Sequence, residues 1–113
     1  MRQVLVEVDW VHPANGGRSV LPEGNEYTAV GKFPQQRDQE WLQSAWSIKI
    51  NWVHPGSESG WYGIAQFLVE QAPHEWLVPN SHFELYEGPQ LVAKVKVLIS
   101  EKTIAGIKAL ATV

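Results

Sequence analysis

A chain of 113 residues, 44% hydrophobic and 19% charged, has the size and make-up of one globular domain, which excludes disorder over most of its length. The absence of cysteine excludes a disulfide framework, thiolate metal ligation and a cysteine nucleophile. The formal net charge of −3 lacks the basic footprint that non-specific phosphate binding requires, and no apolar run approaches the ~20 residues of a membrane-spanning helix.

The dominant hydrophobic period is two. Val4, Val6, Val8 and Trp10 fall on one side of a first strand, with Leu5, Glu7, Asp9 and Val11 on the other. The cluster His12-Pro13-Ala14-Asn15-Gly16-Gly17 then forces a turn. A short strand pair is predicted at 18–21 and 26–32, broken by Pro22-Glu23-Gly24-Asn25, and the polar stretch 35–43 reads as a loop with one helical turn. Alternation returns with Trp46, Ile48, Ile50 and Trp52 on one face. A loop over 54–60 follows, and then a strand over 61–70 that is apolar on both faces, as a covered or central strand would be.

Pro73 and Pro79 bracket a connection that carries Trp76 and Leu77. Two alternating segments then flank Gly88-Pro89, the signature of a hairpin, with Leu91, Ala93, Val95, Val97 and Ile99 predicted inside. After Ser100 as N-cap, Ile104, Ile107, Leu110 and Ala111 recur at helical spacing. The expected architecture is all-β: one domain over 1–113, built as a closed or nearly closed antiparallel β-barrel of about six strands, with its core in 4–99 and a short helix in the tail 100–113. Closure removes the exposed edges that tryptophan-rich strands would otherwise offer for aggregation.

One internal echo appears. Trp10-Val11-His12-Pro13 recurs as Trp52-Val53-His54-Pro55, and both copies leave a strand for a glycine-containing loop. Proline holds the preceding histidine extended and removes a backbone donor at the strand exit, so two similar exits account for it.

Several segments carry a family resemblance. Asn15-Gly16-Gly17-Arg18 after an alternating strand resembles the Gly-Gly-Arg turn of the C-terminal β-barrel domain of elongation factor Tu. Leu77-Val78-Pro79, the run Phe83-Glu84-Leu85-Tyr86-Glu87-Gly88 and the run Leu91-Val92-Ala93-Lys94-Val95 are similar to its closing strands. The resemblance spans most of 4–99 and is specific at the two ends. Asn80 stands where that family has a turn glycine, Lys94 where a glycine is typical, and the aromatic segment after the turn is reduced to Tyr27 and Phe33. The resemblance implies a stand-alone barrel, because the Gly-x-x-x-x-Gly-Lys-Ser/Thr phosphate loop of a GTPase is missing.

No catalytic constellation emerges. His12 and His54 could ligate a divalent ion if their strand exits converged beside Asp9 or Glu58, but no metal motif spaces them, and neither a metal nor another cofactor is expected. Ser57, Ser59 and Ser81 lack a nucleophile-elbow context, and Glu84 and Glu87 sit at odd spacing on opposite strand faces. Arg18, following two glycines, can present its guanidinium to a carboxylate or phosphate, or pin its own turn to Glu23 or Glu26. Trp41, Trp61 and Trp76 lie in or beside loops; gathered at one end they would form an aromatic binding patch. The expectation is therefore a non-enzymatic, cytoplasmic binding module with no membrane association, contacting a protein partner through Arg18, Trp41, Trp61 and Trp76. The alternatives are a toxin-neutralising immunity protein and a translation-associated barrel that binds RNA.

Overall fold

A computed structural model describes residues 2–36, 41, 43–57 and 60–99. Six strands form the barrel: β1 (Val4–Trp10), β2 (Glu26–Lys32), β3 (Trp46–Ser57), β4 (Gly60–Phe67), β5 (His82–Glu87) and β6 (Gln90–Ile99). Their order around the closed sheet is β1-β4-β3-β2-β5-β6, with every neighbour antiparallel. Among the described residues no helix is long and apolar enough to cross a membrane. The helix expected in the tail 100–113 lies outside the described residues, as does most of the helical turn expected within 35–43.

Alternation decides what faces inward. Val4, Val6 and Val8 of β1, Ile48 and Ile50 of β3, Ala65 and Phe67 of β4, Phe83 and Leu85 of β5, and Ala93, Val95 and Val97 of β6 are buried in one continuous core. The predicted inner face of β6 needs correcting at its ends. The register shifts between Leu85 and Tyr86 and again between Leu5 and Val6. The first shift places Val92 in the core beside Ala93 and leaves Leu91 half-buried; the second does the same to Ile99.

Three boundaries also differ. Residues 18–21 form no strand and bend at 19–20, because the Arg18 side chain folds back to donate from Nε to Val20 O at 2.8 Å, and Val20 and Leu21 are left exposed. The loop predicted over 54–60 is largely strand, since β3 runs to Ser57 and β4 resumes at Gly60, with register shifts after Trp52 and His54 absorbing the proline. β4 ends at Phe67, and Leu68 and Val69 emerge into solvent.

β1, β3 and β5 finish at the same end of the barrel where β2, β4 and β6 begin; that end is the mouth and the other the base. β1 and β2 stand opposite each other in the ring, so the connection between them passes over the mouth. β4 and β5 are also opposite, so their connection passes over the base, where Leu77 is buried and Trp76 packs on Phe33 with ring centroids 5.3 Å apart. β5 and β6 turn through Gly88 at φ +58°, a left-handed value suited to tight hairpin turns. Asn80 is also left-handed at φ 69°, a conformation asparagine tolerates.

Candidate functional site

The last inward positions of four strands meet at the mouth. Trp10 closes β1, Tyr27 opens β2, Trp52 lies near the end of β3 and Trp61 opens β4. Their rings form one cluster. Trp10 meets Tyr27 at 5.4 Å, Trp61 at 5.5 Å and Trp52 at 5.9 Å; Trp52 meets Trp61 edge-on at 4.9 Å and lies nearly parallel to Tyr27 at 6.3 Å. Edge-to-face pairs of this kind add roughly 0.5–1.5 kcal/mol each beyond the area they bury.

The tryptophans nevertheless stay half-buried. The indole Nε1 groups of Trp10 and Trp52 are shielded from solvent and have no acceptor among the described residues. A buried donor left unsatisfied costs about 1–3 kcal/mol. Two of them at one mouth mark a place where tryptophan is not what the packing alone would select, since a phenyl ring would fill space there without the penalty.

Arg18 fastens the loop above this cluster. Its Nη1 donates to the Glu87 carboxylate, which also accepts from the Tyr27 hydroxyl, and the guanidinium lies 5.8 Å from the centre of the Tyr27 ring. The turn is thus pinned, as one reading of the sequence expected, but to Glu87 rather than to Glu23 or Glu26. Position 87 shares the inward parity of Phe83 and Leu85, which carries its carboxylate to the end of the barrel interior. Gln90 Nε2 adds a bond to Gly16 O at 2.8 Å. Glu23 and Glu26 remain exposed, so the rim of the mouth is acidic.

Burial, and after it the hydrogen bond to Glu87, pushes the Tyr27 phenol well above its ordinary 10.0. The folded state therefore holds this proton more tightly than the unfolded chain does. Its contribution to stability is complete below about pH 10 and is lost as pH rises further. Urea unfolding midpoints should fall above about pH 10 in the wild type and fall less steeply in Tyr27→Phe; parallel pH profiles would show that Tyr27 is not the coupled group.

Of the four residues singled out from sequence, the structure brings together Arg18 and Trp61. Trp76 is at the base, on Phe33. Trp41 lies against the outer wall, buried over Tyr86 at 4.6 Å with Lys32 Nζ 5.7 Å from its ring. Trp10 and Trp52 were missed because they end alternating strands and look like core. The available signal was the Trp-Val-His-Pro echo. β1 and β3 run in the same direction on either side of β4, so equivalent strand exits deliver both tryptophans to the same mouth. The histidine of the first copy is engaged locally, its Nδ1 accepting from Ala14 N at 3.0 Å. The His54 side chain and Glu58 lie outside the described residues, and no cluster of three metal-ligating side chains occurs among the described ones.

Comparison with known proteins finds no family model, curated protein or solved structure that matches the chain.

Proposed function

We propose that this protein is a non-enzymatic binding module that recognises a protein of basic surface through the aromatic mouth of its barrel. The observation that carries the proposal is the half-buried cluster of Trp10, Trp52 and Trp61 with its two unpartnered indole donors. Tryptophan is enriched at the centres of protein interfaces, where its ring fills a pocket and its N–H takes an acceptor. Apolar exposure alone does not choose between the two ends: Val20, Leu21 and Val53 are exposed on the mouth side, and Leu68, Val69 and Val78 on the base side. The base, however, is plugged by Leu77 and by Trp76, whose indole rests on Phe33.

The rim supplies the partner's sign. Between 11 and 26 the only cation is Arg18, already paired with Glu87, whereas Glu23 and Glu26 are exposed. An acidic ring around an aromatic centre complements a basic ring around an apolar knob and speeds the encounter electrostatically. The likeness of the Gly-Gly-Arg turn and the closing hairpin to the elongation factor Tu barrel fits the same proposal, a barrel acting by contact without a nucleotide domain. Neutralisation of a basic toxin is the second reading, favoured by the same acidic rim; a toxin gene beside this one would select it.

The test uses Val20→Lys with Leu21→Lys, which sets positive charge against a basic partner. Both side chains are exposed, so the fold should survive with a surface-type change in stability within about 0.5 kcal/mol. Affinity for the partner recovered with the wild-type chain should fall at least about tenfold, and salt should slow association to the wild type. Unchanged affinity in a folded variant rejects the mouth as the recognition surface.

A further inference from the structure

A second site, independent of the mouth, lies on the outer wall of β1, β6, β5 and β2. A groove of about 540 Å³ runs across these strands, lined by Glu7, Asp9, Glu84, Lys94 and Lys96 with Pro34 along one side. This volume is in the range of small-ligand sites, ~300–1,000 Å³.

The strand register dictates its charges. Asp9 stands across from Lys94, Lys94 from Glu84, and Glu84 from Lys32, so signs alternate over four strands. One step along, Glu7 stands across from Lys96 and Lys96 from His82. A ladder that served only the barrel wall would close these pairs. Here Glu7 accepts from the Tyr62 hydroxyl of β4 at 3.0 Å, on the side away from Lys96. Among the described residues, no ion pair within 4.0 Å engages Asp9, Lys94, Lys96 or Glu84. Uncommitted charges of both signs therefore face one groove. Lys94, which stands where the elongation factor barrel typically has glycine, is at its centre.

We propose that this groove binds a small zwitterion of short-peptide length. Its ammonium group is taken by Asp9 on β1 and its carboxylate by Lys96 and His82 across β6 and β5, while Lys94 and Glu84 meet the peptide groups between. Two inter-strand spacings, about 10 Å in all, separate β1 from β5, and an extended tripeptide spans ~10 Å.

The experiment is an amide and indole NMR titration of the full chain with tri-alanine, with N-acetyl-tri-alanine amide and with inorganic phosphate. Tri-alanine should shift groove resonances saturably and leave the Trp10 and Trp52 indole signals in place. Capping both ends should weaken binding at least about tenfold, as should Asp9→Asn combined with Lys96→Gln. Both of those side chains are exposed, and an unchanged spectrum elsewhere would confirm that the variant folds. No saturable shift, equal binding of the capped peptide, or phosphate binding as tightly as tri-alanine would each overturn the proposal.

Discussion

Gly17→Ala should unfold this protein more readily than any other single-methyl change on its surface loops. A Cβ at position 17 would sit 1.8 Å from Val11 O and 2.5 Å from Val11 C, inside the backbone itself. Neither segment is free to yield. Val11 N is bonded to Val92 O at 2.9 Å, Gly17 N to His12 O at 3.2 Å, and the preceding Gly16 O accepts from Gln90. Ordinary overpacking costs about 1–3 kcal/mol, so a clash against fixed backbone should cost at least about 3 kcal/mol. For a domain of this size that is a fall in Tm of roughly 10 °C or more. Gly16→Ala is the contrast. Gly16 meets nothing within 4 Å but has φ +92°, so its cost is conformational, about 1–2 kcal/mol. The two adjacent glycines are required for different reasons, and thermal unfolding of the two variants separates them. An unshifted Tm in Gly17→Ala would mean that the loop over the mouth is not held against Val11.

Phe67→Ala should be comparably damaging from the other end. The ring is fully buried, lies 5.4 Å from Phe33 and is met edge-on by His74 at 5.6 Å, so it ties β4 to the segments that close the base. Truncating a buried phenylalanine costs about 3–5 kcal/mol, the lost transfer energy plus a cavity that rigid walls only partly fill. Since domains of this size are stable by only about 5–15 kcal/mol, the urea midpoint should drop by roughly a fifth or more. A loss under about 1 kcal/mol would show that the base collapses around the gap, and that Phe33, Trp76 and Leu77 are not the rigid plug their packing indicates.

The barrel was legible because most of its strands have one wet face and one dry one. The period of two in 4–10 and 46–52 and the Gly88-Pro89 turn are local signals, and local chemistry decided them. What escaped was set by pairing between distant segments. The shifts opposite Leu85 and beside Leu5 exchange Leu91 and Ile99 for Val92 in the core, and nothing within β6 announces them. Arg18 reads as strand until Glu87, 69 positions away, claims its guanidinium.

The candidate site was half legible for the same reason. Judging tryptophans by whether they sat in loops selected Trp41 and Trp76, which the fold sends to the outer wall and the base. The mouth instead collects residues by strand direction, which only the ring order reveals. The groove was invisible from sequence, because its charges come from four strands spread between positions 7 and 96.

One comparison tests the recognition surface most directly. Lysines are placed at positions 20 and 21 beside the mouth in one variant, and at positions 68 and 69 beside the base in another, with the folded state of each checked by near-UV circular dichroism. All four wild-type side chains are exposed apolar residues, so the variants match in chemistry and differ in place. If the aromatic mouth is the recognition surface, the first variant loses its basic protein partner and the second binds like the wild type. Retained binding in the first variant, or equal loss in both, contradicts it.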